Sequence, residues 1–411
     1  MKILITGLCL QGNKGGPALA ISLMSQLRKI FPGARFVMSV PSAEFSLEVQ
    51  WADRVGVAVV SDFSHLDLIA YLFRLPVKFK KVRVINWLIE LKDAELVVDL
   101  SGVSYVGPPA GTTKRVLLNG RFKYFLFSRL FGRPFLAWTQ SYGPFSNALI
   151  RYIAKKDLSA LPVIMCRGES GKSAVEQLLP RKAVKSYPDV AITLDYNPDR
   201  GRKMIVDAGL LSGPLATVSP SAVLYSKSGD REGLNQHVSD MIWLCEYLVS
   251  SGYKVLLVPH TFRSQNHDPL KCDYAVSKEV YEGCVGVTEK ISLVEGDNSA
   301  AELKSIIANA KVHVGARYHS LVAALSSGVP AIALSWHAKY QDVLAQFGIG
   351  NYVVPLSNGR EFRSRIEVLL RELANEYDDV AGMLVRRQKE LVIEVDRNRD
   401  QFLDSYKQIT K

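Results

Sequence analysis

Val312-His313-Val314-Gly315-Ala316-Arg317-Tyr318-His319-Ser320 runs on through Leu321-Val322-Ala323-Ala324-Leu325-Ser326-Ser327-Gly328 into Val329-Pro330-Ala331-Ile332-Ala333-Leu334-Ser335-Trp336. The first run is short, apolar and β-branched. The middle is rich in helix formers and closes on Gly328, and the last is again apolar and strand-like. Strand, helix, strand is the expected order. Arg317 and His319 then sit where a buried strand hands over to a helix. In an open α/β sheet the first free N–H groups and the helix dipole favour an anion at that point. Arg317 adds a forked, permanently charged donor, and His319 a group that titrates near neutrality. Two readings stand side by side: an acid beside an anion clamp, or an arginine in an ion pair and a histidine capping its own helix.

The same alternation extends outward in both directions. Lys2–Thr6 reads as a strand, Gly7–Gly16 as a glycine-rich loop and Pro17–Leu27 as a helix with Pro17 in its first turn. Arg35–Val40, Glu95–Leu100, Pro134–Thr139 and Val163–Cys166 are further strands, and Ser170 is the expected cap of a helix over Gly171–Leu179. The polar stretch from Asp195 to about Gly213 reads as a link. Beyond it, strands are expected at Ala216–Ser219, Lys254–Val258 and Ile291–Val294, with helices at Leu234–Ser250, from Asp273, and at Ser299–Asn309. Polar and glycine residues collect at the carboxyl ends of successive strands, as in the ligand crevice of a parallel sheet. The expected fold is α/β: two Rossmann-like domains facing across a cleft in a GT-B-like layout. Residues 1–197 form the N-terminal domain, 198–375 the C-terminal domain, and 376–411 a helical segment that packs back on the N-terminal domain.

A chain of 411 residues with 48% hydrophobic and 22% charged residues has the composition of a soluble globular protein. Its five cysteines are scattered without a CxxC pair, so neither a disulfide framework nor a zinc site is expected, and a reducing cytoplasm is the natural setting. No carboxylate and histidine cluster has metal spacing. The net charge of +11 calls for an acidic partner, and the basic residues are too dispersed for a nucleic-acid module. Leu68–Leu91 holds Arg74, Lys78, Lys80, Lys81 and Arg83 among aromatic residues. Arg121–Phe135 holds Lys123, Arg129 and Arg133 among Phe122, Tyr124, Phe125, Phe127 and Phe131. Such segments suit a peripheral contact with an anionic membrane surface, and equally a helix with one face on a sheet.

With these loops in place, the sequence resembles the polysaccharide pyruvyl transferase family. Gly12-Asn13-Lys14-Gly15-Gly16 is similar to its Gly-Asn-x-Gly-Asp loop, and Gln140-Ser141-Tyr142-Gly143-Pro144-Phe145 to its Gln-Ser-Ile-Gly-Pro-Phe run. Arg167 to Ser170, Pro188-Asp189, Pro259-His260 and Gly315 to Ser320 match in order, and Ser335 to Lys339 stands where the family has an aromatic residue and a lysine. Two positions depart from the pattern. Gly16 replaces an acidic residue, and Thr217 to Ser221 offers only hydroxyls where relatives often carry an arginine.

The resemblance implies transfer of a pyruvate unit from phosphoenolpyruvate, a co-substrate, to sugar hydroxyls as a ketal. It implies an enzyme of exopolysaccharide or cell-envelope synthesis with no cofactor; the cysteines, the basic segments and the lack of metal spacing add the expectation of a cytoplasmic protein at the inner face of the membrane without a metal. His319 is the implied acid and Arg317 the donor clamp. Arg167, His260, His337, Lys339 and Ser320 fall on the donor side, and Gly12, Asn13, Gly15, Gln140 and Ser141 on the acceptor side. Asp189 and Glu169 are candidate bases or structural caps. A nucleotide-sugar GT-B glycosyltransferase and a non-catalytic glycan-binding relative are the competing readings.

Overall fold

The computed structural model describes residues 1–73, 78–105, 121–210, 213–231, 233–263, 267–356 and 359–411. Arg74 of the basic segment lies outside the described residues. Met1–Gln11, Leu19–Val190 and Ile393–Lys411 form one compact unit, and Gly12–Ala18 with Ala191–Val392 the other.

The first unit is built on a five-stranded parallel sheet. Its order is Ala58–Ser61, Arg35–Val40, Lys2–Thr6, Leu96–Asp99, Phe135–Ala137. Lys2–Thr6 lies at its centre, with Ile3 facing Phe36 on one side and Leu96 on the other. Ile3, Leu4 and Ile5 are all buried, because a parallel strand covered on both faces needs a continuous apolar run. Helix Phe45–Val55 and strand Ala58–Ser61 carry little signal in the sequence. That helix opens at Glu44 in the left-handed region (φ 64) with no side-chain cap. The cap expected at Ser170 is instead Gly168, whose φ of 89 turns the chain into helix Glu169–Leu178. The end of the chain is one helix, Tyr377–Thr410, and in the first unit its Phe402 ring packs 5.1 Å from Trp138.

The second unit has a six-stranded parallel sheet in the order Ile291–Leu293, Lys254–Leu257, Leu215–Ser219, Val312–Gly315, Ala331–Ser335, Val353–Pro355. From Leu215–Ser219 the order runs one way to Lys254–Leu257 and the other way to Val312–Gly315, so the topological switch lies there. Ser219 is in register with Gly315, which sets the two carboxyl ends side by side. The expected link after Asp195 is a helix instead. The Asn197 side chain accepts from Asp199 and Arg200 N–H, and Pro198 occupies the first turn of Pro198–Asp207. Among the described residues no helix is long and apolar enough to cross a membrane.

Helix Pro198–Asp207 packs directly on helix Ala300–Ile307, and a Cβ on Gly201 would stand 2.0 Å from the Ser305 carbonyl oxygen. Gly201→Ala is expected to lower unfolding free energy by about 1–3 kcal/mol in urea titration, the usual range for overpacking. Gly229→Ala, where an added Cβ meets nothing within 4 Å, is the control expected to stay near wild type.

Candidate functional site

Three helices contribute residues of the second unit to one small cavity. Ala18 comes from the first turn of helix Gly15–Ile30, Ala300 and Lys304 from helix Ala300–Ile307, and His319 and Val322 from helix Tyr318–Leu325. Lys14 and His260 complete its polar wall. Two of the helix starts are capped by side chains, Asn13 accepting from Gly15 N–H and Ser299 from Glu302 N–H, so the charge of the wall comes from the lysines.

The glycine loop is fastened to the turn after Lys254–Leu257. Lys14 N–H donates to the His260 carbonyl at 3.0 Å, Phe262 N–H donates to the Gly12 carbonyl at 3.2 Å, and Asn13 bridges Thr261. Gly12 has a φ of 76, which glycine adopts without strain. The Asn13 side chain accepts from Gly15 N–H at 3.0 Å and starts the helix. Gly15 is needed for a different reason. A Cβ there would lie 2.1 Å from His319 Nδ1, so the imidazole packs where a side chain would be. Lys14, only 2% exposed, forms an ion pair with Asp297.

Arg317 is the N-cap of its helix, with extended φ and ψ and no side-chain cap bond. Its Nε donates to Asp273 Oδ2 at 2.7 Å and its Nη2 to Oδ1 at 2.5 Å, so the fork expected to face an anion is closed on a buried carboxylate. Asp273 also accepts from Ala222 N–H at 2.8 Å. Ser320 is internal as well. Its hydroxyl donates to the Arg317 carbonyl at 2.8 Å, so His313 Nε2, at 3.0 Å, is the donor to Ser320 Oγ. His313 Nδ1 then accepts from the Thr217 hydroxyl at 3.0 Å. Gly315 makes room for this chain, since a Cβ there would meet His313 Nε2 at 2.5 Å and Ser320 Oγ at 2.6 Å.

His260 Nδ1 lies 3.2 Å from the Val258 carbonyl oxygen and 3.4 Å from Ser219 Oγ, whose own hydroxyl donates to Val258 O. The carbonyl fixes the proton on Nδ1 and leaves Nε2 as the lone-pair atom. Burial pushes His260 down to about 4, so it is neutral near pH 7. Lys304 donates to the carbonyls of Leu194 (2.8 Å) and Ile192 (3.3 Å), and burial pulls its ammonium down to about 8.

His337 and Lys339 are not among the residues lining the cavity. His337 Nδ1 accepts from Lys339 N–H at 3.2 Å. The Lys339 ammonium lies over the rings of Trp336, Tyr340 and Tyr318, 5.1–5.7 Å from their centroids.

Gln140, Ser141 and Arg167 belong to the first unit and are buried there. Gln140 donates to Asp99 Oδ2 (2.5 Å) and the Asp99 carbonyl, and accepts from Ser104 and Arg121. Arg167 donates to Asp189 at 2.5 Å, the Gly102 carbonyl at 2.6 Å and Ser141 Oγ at 3.2 Å. Glu169 is exposed at the start of its helix and pairs with Lys172 at 3.4 Å.

Sequence reasoning passed over Lys14, Lys304 and Asp273. Lys304 did leave a trace. It shares a helix face with Ala300, Leu303 and Ile307, an apolar stripe in which a lysine is out of place.

Burial holds His237 and His260 at about 4 and His313 at about 3, against 6.5 for an exposed histidine. The unfolded chain therefore binds protons first as the pH falls below 6.5. Their contribution to stability is expected to be complete above that pH and to fall progressively towards pH 4. Urea midpoints across this range should drop, and less steeply in His313→Asn.

The sequence model of the polysaccharide pyruvyl transferase family matches residues 13–338, a span that contains every residue of the cavity wall named above. No curated protein sequence matches. Among solved structures, Anabaena Alr3699/HepE in complex with UDP aligns over 99% of this chain and 100% of that one, with 13% identity and a TM-score of 0.58. UDP-GlcNAc 2-epimerase from Neisseria meningitidis aligns over 96% and 99%, at 10% identity and a TM-score of 0.56. A ugt transferase from Siraitia grosvenorii in complex with UDP aligns over 100% of both chains, at 11% identity and a TM-score of 0.58. At such identities these likenesses establish the GT-B fold, and the family assignment comes from the sequence match: this chain belongs to the polysaccharide pyruvyl transferase family.

Proposed function

We propose that this chain transfers a pyruvate unit from phosphoenolpyruvate to two hydroxyls of a sugar, in a polysaccharide or its lipid-linked precursor, and closes a ketal. The observation that carries this reading is the cavity wall. Lys14, Lys304, His260 and His319 line one cavity, and no carboxylate is among the described lining residues. Phosphoenolpyruvate offers a carboxylate and a phosphate, and ammonium and imidazole groups suit both.

In this reading His319 protonates the methylene carbon. The π electrons of the donor form the new C–H bond, and C2 becomes oxocarbenium-like. One sugar hydroxyl adds to C2 and gives its proton to Nε2 of His260, which burial keeps neutral. The bond from C2 to the phosphate oxygen then breaks, with the electron pair leaving on phosphate, and the second hydroxyl closes the ring. Of the two hydroxyl protons, one restores His319 and the other leaves with the phosphate. Lys14 and Lys304 hold the donor anions. Arg317 is not among the residues lining the cavity, and in this reading its Nη1 is the part of the fork that Asp273 leaves for the donor.

His319→Ala is expected to lower turnover by at least ~100-fold, the low end for a positioned acid, with an unchanged melting temperature. Wild-type turnover in that folded variant would remove the acid role. Gly15→Ala is expected to fall by a similar factor, because its methyl displaces the imidazole. A thermal-shift comparison tests the donor. Phosphoenolpyruvate at about 100 times its dissociation constant adds ~2.7 kcal/mol of stability, and Lys14→Gln should weaken that response. Stabilisation by uridine diphosphate in its place would make the reaction a glycosyl transfer.

A further inference from the structure

Three neighbouring helices of the first unit, His65–Leu72, Lys78–Asp93 and Arg121–Leu130, carry more apolar surface than their packing uses. In Lys78–Asp93 the inner stripe is Val84, Trp87 and Leu91, all buried. On the opposite side Val82, Ile85 and Ile89 form a second stripe at helical spacing, 42%, 42% and 50% exposed. A helix that only covers a sheet is apolar on one face. The pattern recurs in the neighbouring helices: Leu66, Ile69 and Phe73 are exposed at and just beyond the first, and Leu126 and Leu130 on the third. The helices pack side by side. The Trp87 ring lies 6.0 Å from Tyr124 and 5.9 Å from Phe127, and Arg83 pairs with Asp67 at 3.7 Å.

Charge decides what covers such a surface. The carboxylates of this region already meet cations: Asp62 with Lys123, Asp67 with Arg83, and Glu90 and Asp93 with Lys2. The sequence adds Lys81, Lys92, Arg129 and Arg133 in or beside the same helices, so the rim of the apolar stripes is basic. A second copy docked by two-fold symmetry would set this basic rim against itself. A bilayer with anionic headgroups complements both the charge and the apolar stripes. We infer that this face docks peripherally on an anionic lipid bilayer, with Val82, Ile85 and Ile89 in the interfacial layer and the lysines and arginines among the headgroups. The inference rests on the surface of the first unit and is independent of the chemistry proposed for the second.

Vesicle flotation of the whole protein tests it, using phosphatidylcholine alone and phosphatidylcholine with phosphatidylglycerol. Capture is expected only on the anionic vesicles, and it should weaken at high salt as the Debye length shortens. Replacing Val82, Ile85 and Ile89 together by serine is expected to reduce partitioning at least about tenfold, with an unchanged melting temperature because all three are exposed. Lys81→Gln and Lys92→Gln should each cost about fivefold. Failure of the wild type to float with anionic vesicles at low salt would overturn the proposal. So would a stable dimer in sedimentation that the triple serine variant dissolves without any vesicle binding. Flotation needs neither donor nor acceptor, so its failure would leave the pyruvyl-transfer reading standing, and failure of that reading would leave the docking face standing.

Discussion

Positive charge gathered in a small, largely buried space is the constraint on which the second unit depends. A low-dielectric wall of one sign costs free energy unless each charge finds a partner or is lost. Every basic group here meets that demand in its own way. Lys14 takes Asp297, Lys304 takes two backbone carbonyls and burial keeps His260 neutral, while Arg317, outside the lining residues, holds Asp273 with the one edge formed by Nε and Nη2. What remains is a wall of polar groups whose positions are fixed by these partners.

Precise placement of His319 follows from close packing rather than from a hydrogen-bonded relay. Its ring occupies the space that a Cβ on Gly15 would take, so the glycine loop and the helix after Val312–Gly315 hold each other. Beneath them the chain of donors from Thr217 through His313 and Ser320 to the Arg317 carbonyl ties the strand to the helix start. The two residues read from sequence as a functional pair are thus mounted on a fully buried polar scaffold.

The departures from the family pattern have a structural setting. Gly16 lies in the first turn of helix Gly15–Ile30, between Lys14 and Ala18, which both line the cavity. Ser219 bonds to the Val258 carbonyl beside His260, and the cations of the cavity wall stand at Lys14 and Lys304 instead.

Periodicity and punctuation made most of the framework legible. Apolar runs marked the central strands, and Ser299 with Glu302 marked a helix start, because these signals depend on neighbours in sequence. Helix Phe45–Val55, with its left-handed entry at Glu44, had no such signal. The sequence by itself determined two parallel α/β sheets, the loop carrying Arg317 and His319, and membership of a family. Only the tertiary structure decided that the Arg317 fork closes on Asp273, 44 residues away, that Gly12–Ala18 belongs with the second unit, and that Lys14 and Lys304 share a wall with His319. Such pairings join residues remote in sequence. Their free energy comes from burial and charge compensation that exist only once the sheet has brought those residues together.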